Sequence, residues 1–302
     1  MKRRFIGKIQ DDYRVRYFVF WIPVWRRKKD ILPRQLGELK DSIARLQDLV
    51  QQMEASQCRL SDKLNRMDET LWKMRTTDRL AELHHPAAFG KYKGIHQGQD
   101  IVVVGAGPTL NAYTPIPGAI HIGVNRTYLC EKLTLDYLFV QDGGPIIEVP
   151  ELTNYRRGKC QRFFGVHPHS AVSPITETFA EANEANRSYF LNSDPLTTEL
   201  PLPLDMAHQP LVSACSIAEP AFQFALWCRP RRIYIVGCDC SDSGYFAADQ
   251  NLKQELAVDG AKLQWQRMAD FAKRHYPEVE IISVNPVGLK GMFKDMDMKA
   301  KK

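Results

Sequence analysis

Gly105-Ala-Gly-Pro-Thr-Leu110 stands directly after the apolar run Ile101-Val-Val-Val104 and is the stretch of this chain best typed for binding an anion. Gly105 and Gly107 permit backbone angles that a side chain forbids, while Pro108 has its φ preset for the first turn of a helix. The order predicts a buried strand, a tight turn and a helix start, whose free N–H groups and positive dipole end suit a phosphate. A β-to-α corner that binds nothing has the same pattern, so the loop alone leaves both readings open.

Proton transfer has its own candidates. Asp142, Asp239 and Asp242 follow apolar runs that read as strands, and His167 and His169 open a long polar stretch. Transfer to a hydroxyl needs such a group within hydrogen-bond reach of the proton, with a pKa near the working pH. Acidic residues at strand ends also serve as turn or N-cap residues, the competing role for each Asp. His167-Pro-His169 lacks a fixed carboxylate partner and is not read as a metal pair. The seven cysteines, at 58, 130, 160, 215, 228, 238 and 240, are odd in number and contain no C-x-x-C, so neither a zinc site nor a disulfide framework is indicated. Such usage fits a reducing cytoplasm. Cys238 and Cys240 flank a strand end and read as free, buried thiols.

Positioning these residues requires an α/β frame from about Gln99 onward. After the strand that ends in the glycine turn, Ala119–Val124, Asp136–Asp142, Gln161–Val166, Arg231–Gly237 and Glu280–Val284 read as further strands. Ser213–Cys228 and about Asp259–His275 read as helices, the second strongly amphipathic. Continuous apolar runs belong to strands buried on both faces, hence an α/β, Rossmann-like, mostly parallel sheet with helices on both faces. In such sheets the edge beyond the carboxyl ends of the strands is where ligands bind, and polar residues collect there. Residues 167–210 show no period and, at that length, read as a lid or binding insert.

The charge is unevenly placed. Residues 1–29 hold ten Lys or Arg against Asp11 and Asp12, a net +8, and the whole chain carries +6, which leaves −2 for the rest. The body is therefore not a basic nucleic-acid binder. The apolar segment Tyr17 to Trp25, flanked by Arg14, Arg16, Arg26, Arg27, Lys28 and Lys29, is broken by Pro23. It falls well short of the roughly 20 residues that a spanning helix needs. No small-residue cleavage site follows it, so residues 1–30 read as an interfacial anchor on an anionic membrane surface, with docking on the protein's own body as the alternative.

From Leu32 to Met74, apolar residues recur in alternating steps of four and three, with Gln57 as the one polar residue in the seam. That heptad pattern, a seam of roughly 65 Å from Leu32 to Met74, predicts a coiled coil over residues 31–78 and calls for self-association. The break at His84-His-Pro86 and the glycines up to Gly98 make residues 79–98 read as a linker, and residues 294–302 as a basic tail.

Five blocks occur in order: Gly105–Leu110, Gly123-Val-Asn-Arg-Thr-Tyr128, Val212-Ser-Ala214, Ile233-Tyr-Ile-Val-Gly-Cys-Asp239 and Ser283-Val-Asn-Pro286. Together they resemble the motifs of the bacterial family-42 glycosyltransferases, the CMP-sialic-acid-dependent sialyltransferases, over about residues 99–293. They are also similar to the wider MptE-like domain group, which includes 6-hydroxymethylpterin diphosphokinases. The resemblance implies a GT-A-like variant of the Rossmann fold. It implicates Gly105, Gly107, Thr109, Asn125 and Ser213 in holding the donor nucleotide, although the family's Thr-Ser-Gly is Val-Ser-Ala here. Tyr245 is the residue comparable to the family's donor-phosphate tyrosines. The family's general-base His has no counterpart in Leu252–Gly260, and His275 reads as a C-terminal helix cap. The proton acceptor is then sought among Asp142, Asp239, Asp242, His167 and His169.

The expectation is a cytoplasmic glycosyltransferase, peripheral on the inner face of the membrane and homo-oligomeric through its coiled coil. It would move a sugar from a CMP-linked, sialic-acid-like donor to a bacterial surface glycan acceptor, with no required cofactor or metal. Two other readings stay open: a diphosphokinase using ATP and magnesium, and a non-catalytic scaffold built on a sugar-nucleotide domain.

Overall fold

The computed structural model describes residues 6–10, 14–19, 22–27, 31–141, 155–166, 186–193, 201–247 and 258–298. The chain divides into two units, 1–69 and 70–302.

The first unit carries a three-stranded antiparallel sheet, β1 (Ile6–Gln10), β2 (Arg14–Val19) and β3 (Ile22–Arg27), in that order. The aromatic segment Tyr17 to Trp25 is thus folded on itself as a strand pair, with Tyr17 opposite Val24. Aromatic and β-branched residues favour that pleated state, a signal masked in the sequence by the run of apolar side chains. Helix α1 (Ile31–Phe89) follows. Its seam residues from Leu36 to Leu71 are 47% to 71% exposed. Among the described residues no helix is long and apolar enough to cross a membrane.

The second unit is built on eight strands: β4 (Asp100–Val104), β5 (Ile120–Val124), β6 (Tyr137–Val140), β7 (Gln161–Val166), β8 (Arg187–Leu191), β9 (Arg232–Val236), β10 (Glu280–Val284) and β11 (Lys294–Met296). They form one sheet in the order β11-β10-β9-β4-β5-β6-β7-β8, parallel throughout. The chain runs outward from β4 to β8 on one side and returns to β9 on the other, so strand order reverses at β4.

Side chains alternate between two cores, as strand geometry requires. Ile101, Val103, Ile233 and Ile235 face α2 (Ala218–Trp227), α3 (Val258–His275) and the end of α1. Val102, Val104, Tyr234 and Val236 face Leu110, Tyr113, Cys130, Leu133 and Leu135. Among the described residues, then, the α-helices lie on one face and turns cover the other, while the crossovers from β6 to β7 and from β7 to β8, where the expected helices of the second face would fall, lie largely outside the described residues. Between β4 and β5, Pro108, Pro115 and Pro117 leave too short an uninterrupted stretch for more than the 3₁₀ turn Pro108–Ala112.

Residues 79–98 do not behave as a linker. Helix α1 continues through Pro86, Phe89 is fully buried and stacks on Phe163 with ring centroids 5.1 Å apart, and Trp227 Nε1–H donates to the Phe89 carbonyl at 3.1 Å. His85, also fully buried, accepts the Leu191 N–H at Nε2 (2.9 Å), while its Nδ1 lies 2.9 Å from the Met206 carbonyl. These two bonds fix a neutral ring protonated at Nδ1, and burial holds its pKa down to about 4. The histidine read as a pattern breaker therefore satisfies the outer edge of β8, the last strand of the sheet. Strands β8 and β11 fall in stretches read as a patternless insert and a basic tail.

Candidate functional site

The glycine turn serves first to bring two strand ends together. Gly105 N–H donates to the Val236 carbonyl and Gly107 N–H to the Gly237 carbonyl, both at 2.7 Å. A Cβ at Gly105 would lie 2.4 Å from the Gly237 oxygen, and one at Gly237, whose φ is +65°, would lie 2.4 Å from the Gly105 oxygen. The two glycines thus face each other backbone to backbone, a close approach that a Cβ on either forbids. Two of the turn's N–H groups, expected to be free for an anion, are used within the protein. The expected helix start is a five-residue 3₁₀ turn, so a long helix dipole is missing there.

Asp239 completes this junction. Its Oδ2 accepts the Thr109 backbone N–H at 3.0 Å, and its Oδ1 accepts the Thr109 hydroxyl. Its own carbonyl accepts Gly288 N–H at 2.8 Å. The aspartate is 8% exposed. Geometry makes it a clamp that caps the 3₁₀ turn and ties the ends of β4, β9 and β10, the competing role weighed against proton acceptor. Thr109 spends its polar groups on that clamp.

Asn125 opens the turn after β5 with φ 41°, a left-handed conformation that asparagine tolerates better than most residues. Its Oδ1 accepts Gln141 N–H at 2.9 Å, and Gln141 Oε1 accepts the Ser213 hydroxyl at 2.7 Å. Ser213 is buried behind this relay and lies before α2 instead of inside a helix.

A cavity of about 320 Å³ opens where β4, β5 and β9 end, beside the residues that lead into α2. Gly105, Gly107, Asn125, Asp239 and Tyr245 line it, which brings together five of the residues singled out from sequence. Thr109 and Ser213 stand behind its wall. Tyr245, 36% exposed, is the most accessible of the group, and its loop is held over the glycine turn by Phe246 N–H donating to the Ala106 carbonyl at 2.8 Å. Asp242 is exposed on the same loop and does not line the cavity. Asp142, His167 and His169 lie outside the described residues.

Sequence reasoning passed over Arg126, which brings a cation into the cavity; its place directly after Asn125 at a strand end was the available signal. Cys238 and Cys240 also line the cavity. Burial raises the Cys238 thiol well above its ordinary range and the Cys240 thiol to about 12, so both stay protonated and poorly nucleophilic. Among the described residues no cluster of His, Cys, Asp and Glu has the makings of a metal site.

Glu219 was also missed. It is 1% exposed in the first turn of α2, and its carboxyl accepts the N–H groups of Ala214 (2.7 Å) and Cys215 (3.1 Å), which shapes the cavity wall at Cys215. Burial raises its pKa from 4.5 to about 7, against the opposing pull of those N–H groups and of Arg267. The folded chain therefore retains a proton that the unfolded chain has lost, and stability falls as pH rises from about 4.5 to about 7, then levels. The melting midpoint of the native chain is expected to drop over that interval relative to Glu219→Gln, which has nothing to ionise. Parallel slopes in melts across pH 4.5–8 would rule this out.

No family model and no curated protein matches the chain. Among solved structures it is similar to the MAf glycosyltransferase from Magnetospirillum magneticum AMB-1, with 11% identity and a TM-score of 0.43 over 74% of this chain, which spans 38% of the length of that protein. It is also similar to the sialyltransferase CstII from Campylobacter jejuni, solved in complex with the substrate analogue CMP-3FNeuAc. There the identity is 11% and the TM-score 0.43, over 68% of this chain and 89% of that one.

Proposed function

We propose that the second unit is a glycosyltransferase domain that binds a nucleotide-activated sugar, CMP-linked and sialic-acid-like, and passes the sugar to a bacterial surface glycan. One observation carries the reading: the cavity sits beyond the carboxyl ends of β4, β5 and β9, where strand order reverses, the position at which open parallel sheets bind nucleotides. Its polar lining is asymmetric in a way that suits such a ligand. Arg126 supplies a cation for a phosphate, Asn125 an amide, and Tyr245 a hydroxyl at the mouth. Glycine at 105 and 107 and alanine at 106 keep that wall free of bulk. Asp142 and His167 remain the candidates for the proton acceptor, since Asp239 is occupied by Thr109. The proposal extends to self-association through the α1 seam and to an anionic membrane contact by residues 1–30.

Arg126→Ala tests the reading. The purified chain is expected to bind CMP, and loss of a charge-assisted hydrogen bond should weaken that binding by roughly tenfold to a hundredfold. Calorimetric titration with CMP, and separately with ATP and magnesium, checks it. Binding of ATP with magnesium in place of CMP would favour a diphosphokinase, and binding of neither would leave a scaffold.

A further inference from the structure

On the helix-facing side of the sheet, Phe139, Phe163 and Phe190 form an aromatic layer across the adjacent strands β6, β7 and β8. The ring centroids are 4.7 Å apart for Phe139 and Phe163 and 5.5 Å apart for Phe139 and Phe190. Two residues further along each chain, and so on the same side, stand Gln141, Gly165 and Asn192. The apolar core thus ends at this edge in a layer of amide, glycine, amide.

Asn192 is fully buried, and neither its Oδ1 nor its Nδ2 has a hydrogen-bond partner. Leaving both halves of an amide unmade is costly, and an apolar residue of the same shape would avoid the cost. Gly165 is what admits the amide: a Cβ there would lie 2.6 Å from Asn192 Nδ2 and 3.0 Å from Phe190 Cζ. The polar layer adjoins the cavity without lining it: the Gly165 Cβ position is 3.4 Å from Gln141 Cγ, and the Gln141 N–H is bound to cavity-lining Asn125. From β5 to β8 is three strand spacings, roughly 14 Å. That is the reach of a nucleotide bearing a sugar.

We propose that Asn192 is a specificity-determining residue that reads the sugar of the donor, its amide donating to and accepting from the ring's hydroxyl or N-acyl groups. The sugar reaches it by exchanging with the Ser213–Gln141 hydrogen bond, which stands between Asn125 and Gly165 at the same edge. This rests on the glycosyltransferase reading above. A neutral amide suits a polyhydroxylated ring, while the phosphate stays with Arg126.

Asn192→Leu keeps the shape and removes both polar atoms, and Asn192→Ala guards against a variant that does not fit. Each is titrated with CMP and with CMP-N-acetylneuraminic acid, beside a melt without ligand. The expected result is a melting midpoint unchanged or raised, native CMP affinity, and a roughly tenfold loss of affinity for the CMP-sugar alone. Unchanged affinity for the CMP-sugar in both variants would overturn the proposal and leave the amide to a buried water, with the donor cavity intact. A midpoint that falls in both variants together with CMP affinity would also overturn it, by making Asn192 structural. If the native chain binds neither ligand, the CMP-sugar reading itself falls, and this assignment with it.

Discussion

Gly107→Ala is expected to lower the melting midpoint of the chain by about 2–12 °C with no ligand present. Gly107 has φ −72°, which alanine adopts without strain, so the cost is steric and not conformational. The added Cβ would lie 2.6 Å from Asp239 Oδ2 and 2.7 Å from the Gly237 carbonyl oxygen. Neither obstacle is a flexible chain end: the carbonyl is backbone in the junction with Gly105, and the carboxylate is held by Thr109. Overpacking of this kind costs about 1–3 kcal/mol, and in a unit of this size each kcal/mol moves the midpoint by about 2–4 °C. The resemblance read from the sequence implicates Gly107 in holding the donor nucleotide. The structure places the clash inside the protein, so the cost falls on the stability of the empty chain. Scanning calorimetry without ligand decides: a native midpoint in Gly107→Ala would show that the β4 and β9 ends are not in this contact.

The 302-residue chain should be an oligomer in solution, and Leu46→Glu with Leu60→Glu should reduce it to a single-chain mass. The seam from Leu36 to Leu71 is exposed along its length, and a solitary helix gains nothing by keeping a strict seven-residue apolar repeat in water. Burying one leucine contributes about 1.5–3 kcal/mol. A dimer of the double variant loses four such positions, so its association constant falls by roughly four orders of magnitude or more. Light scattering coupled to gel filtration measures the mass, and far-ultraviolet circular dichroism should show helix lost with it. A native chain of single-chain mass, or a double variant that keeps the native mass, would show that the seam has another use.

What the residues determined without the fold was whatever short-range sterics and solvent dictate. The heptad run gave helix α1, and the apolar runs Gln161–Val166 and Glu280–Val284 gave β7 and β10 to the residue. The position of the glycine turn at the end of β4 was legible for the same reason, since a buried strand followed by Gly-x-Gly admits few local conformations. Placement of polar groups beyond strand ends brought Gly105, Gly107, Asn125, Asp239 and Tyr245 to one cavity. Strand order decided the rest. Thr109 and Asp239 are 130 residues apart in the chain, and they meet only because β9 returns beside β4. No local pattern records that meeting, so the sequence shows neither the Asp239 clamp on Thr109 nor the tight seat of Gly107 against it. Likewise His85 and Phe89 looked like the start of a linker until β8 and α2 were there to be packed against. The short run that forms β8 carried too little periodicity to stand out from its polar surroundings. Asn192, beyond its end, has significance only because Gly165 on the neighbouring strand leaves room for an amide that nothing else satisfies.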